Sequence, residues 1–285
     1  MVPMTAPGIV LATRNRRDRV LATLDRLVQL PERPEVVLVD NASQDGTPQA
    51  VARRHPGVRV LRMERNKGAS ARNDGVRTLQ TGVVAVSDDD SWWAPGALGK
   101  AAALFESRPT LGAVQARILV GPAERLDPVC AAMRDSPLPA FRGLPGPAVL
   151  GFVACGTVFR RSAFLEAGGF HPRLQLGGEE SLLALDLAVA GWELAYVDSV
   201  VAYHHPAGAD DRAGREALQL RNELWTAWLR RRLPGAAATT ARVALRAARE
   251  GRITALAEAA RGLPWVLAQR RPLPAPLDKA AARVY

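Results

Sequence analysis

Residues 8–87 alternate between short apolar runs and segments of helical periodicity, and this alternation constrains the fold more than any other feature of the sequence. The runs are rich in β-branched residues, as strands are, whereas the intervening segments repeat apolar residues at helical spacing. The predicted strands are 8–12, 35–39, 58–61 and 82–87, and the predicted helices are 18–30, 47–54 and 68–79. Strands separated by helices pair in parallel, because each helix carries the chain back across the sheet. We therefore predict an α/β fold with a mostly parallel central sheet flanked by helices.

Polar residues follow each of the four predicted strands. Thr13 comes after the first strand, Asp40 after the second and Asn66 after the third, and three consecutive aspartates come after the fourth. Ligands of such sheets bind in the crevice beyond the carboxyl ends of the strands. The sequence therefore predicts one site at which these four strand ends converge.

The three aspartates, Asp88 to Asp90, lie between an apolar run and two tryptophans in the stretch VSDDDSWWAP. Adjacent carboxylates repel one another unless a cation neutralises them, and Mg²⁺ or Mn²⁺ is typically held by one or two carboxylates together with substrate phosphates. The alternative is a solvated acidic turn that caps the next helix. The position at the end of the fourth strand favours the metal site.

Two segments in the second half of the chain bear on the site. Residues 136–148 are rich in Pro and Gly and predict a flexible loop over the site, and a strand-like segment follows at 151–160. Glu179 and Glu180 then open a predicted helix at 179–190. The helix dipole alone accounts for two carboxylates in a first turn, but one of them could instead act as a general base.

A histidine pair, His204 and His205, follows an apolar strand. A histidine in such a place is more often structural, but it becomes a plausible ligand beside a divalent cation. The two cysteines, Cys130 and Cys155, are too few for a disulfide framework. We expect them to be buried and reduced, although the sequence leaves a single bridge open.

The excess of positive over negative charge is confined to the C-terminal quarter of the chain. The net charge is +10, and residues 212–285 hold 15 Lys and Arg but 5 Asp and Glu, whereas the rest of the chain is balanced. From 206 onward the pattern is helical, with Trp225, Trp228 and Trp265 in its basic amphipathic stretches. These helices could pack on the rest of the chain, form a dimer or lie on an anionic membrane surface. Nucleic acid is not expected as a partner, because no recognition motif accompanies the charge.

The sequence predicts no membrane-spanning segment. Nowhere do about 18 apolar residues follow one another, which is the length that a spanning helix requires. The residues after Met1 also lack the basic start of a secretory signal. We expect a cytoplasmic protein, with any membrane contact peripheral and at the inner face of the cell membrane.

Seven blocks, in order, resemble the family 2 glycosyltransferases of GT-A fold, which are inverting enzymes that use nucleotide-sugar donors. The blocks are TRNR (13–16), VDNASQDGT (39–47), NKGASARNDG (66–75), DDD (88–90), CGTVFRRSAFLEAGGF (155–170), GGEESLL (177–183) and VDSVVAYHH (197–205). The resemblance covers residues 8 to about 205. It implies a GT-A catalytic domain over 1–205, with a donor half at about 1–95 and an acceptor half at about 96–205, and a basic helical extension over 206–285.

The resemblance also assigns donor-binding residues. It implies that Thr13 and Asp40 contact the nucleobase and its ribose, and that Arg72 contacts the nucleobase and a phosphate. It implies that Asn66 and Gly68 shape the loop beside them. The full set of expected donor-binding residues is Thr13, Arg14, Asp40, Asn66, Gly68, Arg72, Asp88 and Asp89.

The three aspartates are similar to the family's DxD motif. This similarity implies that Asp90 binds a Mn²⁺ or Mg²⁺ ion between the two donor phosphates, and that Asp88 faces the ribose or a metal-bound water. His204 matches a late histidine of the family that completes the metal shell. Asp89 is the intervening residue, which we expect to support the loop and to be the most tolerant of substitution.

Glu180 stands where the family usually has an aspartate that acts as the catalytic base on the acceptor hydroxyl. The expected acceptor contacts are Trp93, Gly156 and Glu179. Two departures place the acceptor side in question: Leu182 stands where many relatives have an acidic residue, and His171 replaces the acidic residue that often follows GGF.

Two other functions share parts of this pattern. A nucleotidyltransferase that makes nucleotide sugars has the same alternating fold and metal use, but its first loop is typically rich in glycine, which TRNR is not. A sugar-binding protein that kept the fold and lost the base would bind the donor without transferring the sugar. The leading hypothesis is an inverting, metal-dependent sugar transferase with an unidentified hydroxyl acceptor.

Overall fold

A computed structural model describes residues 7–206 and 215–285. The strands are β1 (Gly8–Thr13), β2 (Val36–Asp40), β3 (Arg59–Arg62), β4 (Val83–Asp88), β5 (Ser91–Trp93), β6 (Leu111–Val120), β7 (Arg125–Leu126), β8 (Thr157–Arg160) and β9 (Glu193–His204). The helices are α1 (Arg17–Leu27), α2 (Thr47–Arg54), α3 (Ala71–Thr78), α4 (Ala97–Ser107), α5 (Pro128–Arg134), α6 (Arg161–Glu166), α7 (Glu179–Val189), α8 (Arg215–Arg230), α9 (Leu233–Arg249), α10 (Ile253–Arg261), α11 (Leu263–Ala268) and α12 (Ala275–Val284). Short 3₁₀ turns cover Gly68–Ser70 and Ala154–Gly156.

The first four strands form the parallel sheet that the alternation predicts. Their order is β3-β2-β1-β4, and each neighbouring pair is parallel. Because the strands run the same way, their carboxyl ends meet at one edge, where Thr13 pairs with Asp40 and Ala12 with Asp88. This half of the sheet therefore brings the polar strand ends together.

The second half of the sheet is mixed, which the sequence pattern did not indicate. The sheet continues from β4 as β8-β6-β9-β5, and β7 pairs with β6. β8 runs antiparallel to both of its neighbours, whereas β6 and β9 are parallel. β9 is a single strand whose register on β6 shifts: Ala116 pairs with Val197, and Arg117 pairs with Val201. Through this mixed half, β9 returns to the edge that carries the aspartates and delivers His204 there.

Close packing of α3 on the sheet sets the position of the site. A Cβ on Gly75 would lie 2.2 Å from Val10 Cγ2 and 3.0 Å from Val39 Cγ2, so the helix backbone rests directly on β1 and β2. Any larger residue would push the helix outward, because interiors are packed without spare volume. Gly75 therefore holds the first turn of α3, with Arg72, against the strand ends.

The C-terminal helices pack on the rest of the chain through two apolar clusters. In the first, Leu174 and Leu182 meet Leu220 and Trp225 of α8, together with residues of α9 to α11. In the second, residues beside α7 meet Leu273 and α12. Within the described residues no helix has both the length and the apolar character to cross a bilayer.

Both cysteines are free and buried. Burial raises the pKa of the Cys130 thiol to about 12 and raises that of Cys155 well above its usual range. Both are therefore thiols at neutral pH and poor nucleophiles, because the thiolate is the reactive form.

Candidate active site

A cavity of about 500 Å³ opens at the carboxyl ends of β1, β2 and β4, and we call it the strand-end cavity. The residues predicted from the sequence that line it are Thr13, Arg14, Asn66, Gly68, Arg72, Asp88, Asp89, Asp90 and His204. They come from segments far apart in the chain, which the parallel sheet and β9 bring to one place. Asp40, Trp93, Gly156, Glu179 and Glu180 do not line this cavity.

Arg72 and Asp88 form an ion pair on the cavity wall. The Arg72 guanidinium is buried beneath Asp88 and lies 5.9 Å from the centre of the Phe170 ring. Burial lowers the pKa of Arg72, but the charges of Asp88 and Glu179 outweigh it and raise the pKa overall. The guanidinium is thus a fixed positive charge at the wall, a suitable counterion for an anionic ligand.

Asp89 is the most enclosed of the three aspartates, with 8% of its side chain exposed. Its Oδ2 accepts a 2.7 Å hydrogen bond from the Thr13 hydroxyl, and its Oδ1 lies 3.1 Å from Arg16 Nη1. Its backbone carbonyl accepts from the Thr23 hydroxyl at 2.8 Å. Burial raises the pKa of Asp89, and the bonds from Thr13 and Arg16 oppose that shift. These contacts support the loop as expected. Because the bonds from Thr13 and Arg16 depend on the Asp89 carboxylate, they argue against the expectation that this residue tolerates substitution best, which stays untested.

Asp90 and His204 lie side by side at the cavity. His204 Nε2 is 3.4 Å from Asp90 Oδ1, and Arg16 and Arg19 each approach Asp90 Oδ2 to 3.8 Å. Burial lowers the pKa of His204, but the hydrogen bond and the negative charge of Asp90 raise it overall. The imidazole and the carboxylate therefore interact closely enough to be shared by one ligand.

The chemistry of these groups suits a divalent cation held partly by its substrate. Across residues 7–206 and 215–285, no three His, Cys, Asp or Glu side chains converge into a complete metal site. Asp90 and His204 nevertheless supply two adjacent ligand atoms, and Asp88 lines the same cavity. A hard cation such as Mg²⁺ is commonly bound by one or two carboxylates, with phosphate oxygens and water completing its shell. The residues present fit that mode.

Asp40 is fully buried beside the cavity. Its Oδ2 accepts a 3.3 Å hydrogen bond from the Ser43 backbone and lies 3.9 Å from Arg62 Nε. Its Oδ1 has no hydrogen-bond partner among the described residues. Asn41, which follows it, lines the cavity. Donor contact by Asp40 therefore stays a prediction, and it would require the chain around Asp40 to open.

The loop after β3 is held in place by Asn41. Asn41 Oδ1 accepts from the Lys67 backbone at 2.7 Å, and its Nδ2 donates to the Gly68 carbonyl at 3.1 Å. Asn66 Oδ1 accepts from the Gly68 backbone at 2.9 Å. Gly68 has φ +60°, and a Cβ there would lie 2.5 Å from the Gln175 carbonyl oxygen. Only glycine fits this approach, so Asn66 and Gly68 shape the loop as the sequence indicates.

Glu179 and Glu180 begin α7, near enough to Arg72 and Asp88 on the wall of the strand-end cavity to interact with them electrostatically. Glu180 Oε1 accepts a 2.8 Å hydrogen bond from the Ala154 backbone. Burial and the charge of Glu179 raise the pKa of Glu180 to about 8, and burial also raises the pKa of Glu179. Asp88 and Arg72 are near enough to act on Glu180 electrostatically. A carboxyl group with a pKa near neutrality is suited to proton transfer.

The structure contradicts two of the predicted acceptor contacts. Trp93 is 1% exposed in the core, and its indole N–H donates to the Ser87 hydroxyl at 3.1 Å. Gly156 is also buried, its N–H donates to the Val153 carbonyl, and its carbonyl accepts from Gln115. The first side chain thus presents no surface to a substrate, and the backbone groups of Gly156 are already paired. Gly156 is needed instead because a Cβ would lie 2.5 Å from Ile118.

The two departures from the family pattern have a structural cause. Leu182 is buried against α8 in the cluster that holds the C-terminal helices. His171 stacks on Trp265, with ring centres 5.3 Å apart, and its Nε2 lies 3.3 Å from Gln269 Oε1. Both positions therefore contact helices of the C-terminal extension, and an acidic residue at either would lose this packing.

The Pro- and Gly-rich segment 136–148 does not cover the strand-end cavity. The Arg142 carbonyl accepts from Arg108, and Ala148 bridges to Ala195 of β9. Leu138 packs beside Leu150. The expected loop over the site is therefore wrong, since the segment lies along β9 and toward α12.

Several cavity residues were missed by reasoning from the sequence. They are Arg16, Asn41, Gln175, Leu176, Arg215 and Leu218. Asn41 and Arg16 adjoin strand ends, which was a usable signal. Gln175 and Leu176 lie in an irregular segment, and Arg215 and Leu218 come from α8, so their approach depends on tertiary packing that no local pattern encodes.

Comparisons with known proteins agree with this geometry. Residues 8–168 match the model of the family described as Glycosyl transferase family 2. The N-acetylglucosaminyl-diphospho-decaprenol L-rhamnosyltransferase of Mycobacterium tuberculosis is 28% identical over 232 residues, which are 68% of this chain and 73% of that protein. The succinoglycan biosynthesis protein ExoO of Rhizobium meliloti is 36% identical over 92 residues, 31% of this chain and 26% of that protein.

Solved structures share the fold over most of the chain. The mannosyltransferase PcManGT from Pyrobaculum calidifontis, in complex with GDP-Man and Mn²⁺, matches with a TM-score of 0.62 at 22% identity, over 92% of this chain and 80% of that chain. S. aureus TarS in complex with UDP-GlcNAc matches with a TM-score of 0.60 at 16% identity, over 75% of this chain and 64% of that chain. At these identities the likeness establishes the fold.

Proposed function

The chain belongs to glycosyl transferase family 2, and from this premise we propose that it moves a sugar from a nucleotide-diphosphate donor to a hydroxyl of a lipid-linked acceptor. The observation that carries the proposal is the meeting of Arg72, Asp88, Asp90 and His204 in one cavity, with the Glu180 carboxyl near enough to Asp88 and Arg72 to interact with them electrostatically. The same cavity contains a positive wall for phosphates and carboxylates for a cation. The family match also favours a transferase over the nucleotidyltransferase alternative.

The donor diphosphate is proposed to lie between the basic wall and Asp90. Arg14, Arg72 and Arg215 line the strand-end cavity and provide positive charge for the phosphates. Thr13 and the loop of Asn66 and Gly68 border the end of the cavity near β2, where the nucleoside is proposed to bind. Asn41 keeps that loop in position through its bonds to Lys67 and Gly68.

A divalent cation, Mn²⁺ or Mg²⁺, is proposed to be held by Asp90 and His204, with Asp88 beside them. When bound, such an ion stabilises the negative charge of the leaving diphosphate. The structural neighbour PcManGT was solved with Mn²⁺, which supports a cation of this class. Within the chain, Arg16 and Arg19 approach Asp90 and balance its charge.

Glu180 is proposed to act as the catalytic base. The acceptor oxygen forms a bond to the anomeric carbon while the bond from that carbon to the diphosphate oxygen breaks, and the acceptor proton passes to Glu180. A single displacement of this kind inverts the anomeric configuration. The bond from the Ala154 N–H to Oε1 fixes the orientation of the carboxylate and leaves its other oxygen for the proton.

The acceptor is proposed to be carried by a membrane lipid. The curated relative from Mycobacterium tuberculosis is named for an acceptor linked by a diphosphate to decaprenol. The C-terminal helices expose Leu233, Leu245, Ile253 and Leu267 among many arginines, a composition suited to an anionic membrane surface. Flotation with phosphatidylglycerol vesicles tests this placement, and equal recovery with neutral phosphatidylcholine vesicles would contradict it.

The test of the proposed function is a thermal-shift screen of nucleotide sugars with Mn²⁺, Mg²⁺ or chelator. One nucleotide sugar is expected to raise the unfolding midpoint in the presence of metal, because a ligand that binds the folded state stabilises it by mass action. Transfer is then assayed with that donor and polyprenyl diphosphate-linked sugars. Failure of every nucleotide sugar to stabilise the protein would contradict the proposal, and donor binding without transfer would favour a sugar-binding protein.

A further inference from the structure

A second cavity, of about 580 Å³, lies between the start of α7 and helices α8, α9 and α12. We call it the α9 cavity. Gly178 and Ser181 border it on the α7 side, Thr226 on α8, and Arg242 and Arg246 on α9. Its volume is in the range of small-molecule sites. The donor and metal binding proposed for the strand-end cavity does not involve the residues of the α9 cavity.

The α9 cavity adjoins the proposed base. Ser181 follows Glu180 directly in α7, and both Ser181 and Tyr285 line the cavity. The Tyr285 hydroxyl donates to the Leu150 carbonyl. Leu176 borders the strand-end cavity and Gly178 the α9 cavity, so the two lie on neighbouring sides of the segment that leads into Glu180. A molecule in the α9 cavity would therefore lie beside the base and apart from the donor.

Arginines predominate among the charged residues that line the α9 cavity. Of the described residues that line it, three are arginines and one is a glutamate. Arg242 and Arg246 share the carboxylate of Glu223, at 2.7 and 3.1 Å. Arg231 pairs with Asp278 at 2.7 Å, and Arg246 also comes within 3.9 Å of Glu250. Arg242 also donates to the Tyr285 carbonyl. The side chains of Arg242 and Arg246 are 52% and 46% exposed, so N–H groups not used in these pairs remain open to an anion.

Thr226 provides an independent sign of a missing partner. The residue lines the α9 cavity and is 8% exposed, and its Oγ1 has no hydrogen-bond partner among the described residues. A buried hydroxyl without a partner costs free energy, so such groups are normally paired. Because the oxygen itself is enclosed, a rotation of the Thr226 side chain would be needed to turn it toward the cavity, where an oxygen-rich ligand would supply the missing bond.

We propose that the α9 cavity binds the anionic group of the acceptor, a phosphate or diphosphate attached to the part that receives the sugar. The inference rests on the proposed function, since it assigns an acceptor subsite to that reaction. Guanidinium groups bind phosphate oxygens through paired N–H donors, and Arg242 and Arg246 present two such groups on one face of α9. The anion would anchor the acceptor, and its hydroxyl would lie toward Glu180.

The test is binding of farnesyl diphosphate, with inorganic pyrophosphate and farnesol as comparison probes. Titrations on the full chain are made in chelator, so that no metal recruits a diphosphate to Asp90. The double variant Arg242→Gln and Arg246→Gln is expected to weaken farnesyl diphosphate binding by about tenfold or more, because it removes both shared charges. Arg249→Gln, an exposed arginine of the same helix outside the cavity, is the matched control and is expected to bind normally.

Thr226→Val provides a second, nearly isosteric variant. It is expected to weaken the probe several-fold without lowering the unfolding midpoint, because the hydroxyl has no partner to lose. Farnesol is expected to bind poorly, and pyrophosphate to show the same arginine dependence as farnesyl diphosphate. Unchanged binding in the double variant, an equal loss in Arg249→Gln, or equal binding of farnesol would each overturn the proposal.

Membrane headgroups and acceptor phosphates are distinguished by a vesicle experiment. Binding to phosphatidylglycerol vesicles is measured for the double variant and for Arg249→Gln. If both variants bind the vesicles equally more weakly than the wild type while their binding of farnesyl diphosphate is unaffected, the arginines bind the membrane and the acceptor site is refuted. The proposed function can fail separately from the proposed site. If the wild type transfers no sugar but binds the probe through Arg242 and Arg246, the function is refuted and the site stands. If the double variant transfers sugar with an unchanged acceptor KM, the site is refuted and the function stands.

Discussion

The Thr13 hydroxyl donates a 2.7 Å hydrogen bond to Asp89 Oδ2, which ties the end of β1 to the loop after β4. The two residues are 76 positions apart. The bond joins a residue predicted to contact the donor to the middle aspartate of the DDD stretch. Because Asp89 also pairs with Arg16, it orients the loop whose outer members, Asp88 and Asp90, face the cavity.

Asp89→Asn is therefore expected to be the costliest single isosteric change in the DDD stretch for stability. It removes the charge that pairs with Arg16 and places an amide where two donors now point, which costs about 1–3 kcal/mol in the free energy of unfolding. Urea denaturation measures the change. Asp135→Asn, at an exposed carboxylate, is the control and is expected to remain within about 0.5 kcal/mol of the wild type. A smaller loss in Asp89→Asn than in Asp88→Asn would contradict the assignment.

Glu180→Gln is expected to abolish transfer while preserving donor binding. The amide keeps the size of the side chain and can still accept from the Ala154 N–H, but it cannot take a proton. Loss of a general base lowers kcat by about 10²- to 10⁴-fold. Steady-state kinetics and donor thermal shifts are measured together, with Glu124→Gln, an exposed glutamate in the turn after β6, as control. Unaltered kcat would show that another group takes the proton.

The raised pKa of Glu180 predicts a specific pH dependence. Burial and the neighbouring Glu179 raise that pKa to about 8. The active form is the carboxylate, so kcat/KM is expected to rise with pH and to level off above about 8, with a value at pH 6 roughly a hundredfold lower. A profile flat from pH 6 to 9 would exclude Glu180 as the base with this pKa.

The raised pKa of Glu180 also affects stability, which is expected to fall as the pH rises, whereas kcat/KM rises. A folded-state pKa above the ordinary 4.5 means that the folded protein favours protonated Glu180. Its contribution is complete below about pH 4.5 and is lost as the pH rises through about 8. The unfolding midpoint of the wild type is therefore expected to fall between these values relative to that of Glu180→Gln, followed by thermal melts at fixed ionic strength. Parallel pH curves for the two proteins would contradict the shift.

Most of the predicted donor-binding residues line the strand-end cavity, whereas the predicted acceptor-binding residues do not, and the difference has a physical reason. Thr13, Asp88 and Asp90 directly follow or end strands of a parallel sheet, and the geometry of such a sheet fixes where its strand ends meet. Trp93 and Gly156 were misassigned because burial depends on which strand lies beside them. The antiparallel β8 and the shifted register of β9 on β6 set that neighbourhood, and neither leaves a local pattern in the sequence.

Contacts between distant segments were the other part that the sequence did not reveal. Leu182 and His171 read as departures from a family pattern, whereas the structure places both against the C-terminal extension. The basic composition of that extension left packing on the rest of the chain, dimer formation and contact with an anionic membrane surface open as alternatives. Its packing on Leu174 and Leu182 depends on apolar residues spread over several helices. A count of charged residues along the sequence does not reveal them.

Donor binding is expected to depend on the cation through Asp90. Chelator should remove the thermal shift that a nucleotide sugar produces in the wild type, and Asp90→Asn should remove most of it even with Mn²⁺ present, because a neutral amide is a weaker ligand for a hard cation. Asp18→Asn, at an exposed carboxylate of α1, is the matched control. A full shift in chelator would mean that the arginines alone hold the diphosphate.

Asn222 of α8 is expected to control the strand-end cavity from the C-terminal extension. The fully buried side chain donates through Nδ2 to the Leu174 carbonyl at 2.7 Å and to the Leu176 carbonyl at 3.3 Å. Between these carbonyls lies Gln175, whose own carbonyl accepts from the Ala69 N–H at 2.6 Å beside the donor loop. Asn222 thus fixes a segment, Gln175 and Leu176, that lines the strand-end cavity.

Asn222→Ala leaves these carbonyls without their donor, at a cost of about 1–3 kcal/mol in the free energy of unfolding. The segment is then less well held, so the donor KM is expected to rise by about tenfold while kcat changes little, since Glu180 keeps its bond to Ala154. Gln80→Ala, at an exposed amide after α3, is the control in both the denaturation and the kinetic measurements. A variant that loses stability but keeps the donor KM would limit Asn222 to a structural role, because a residue that shapes the cavity must alter the affinity for what the cavity binds.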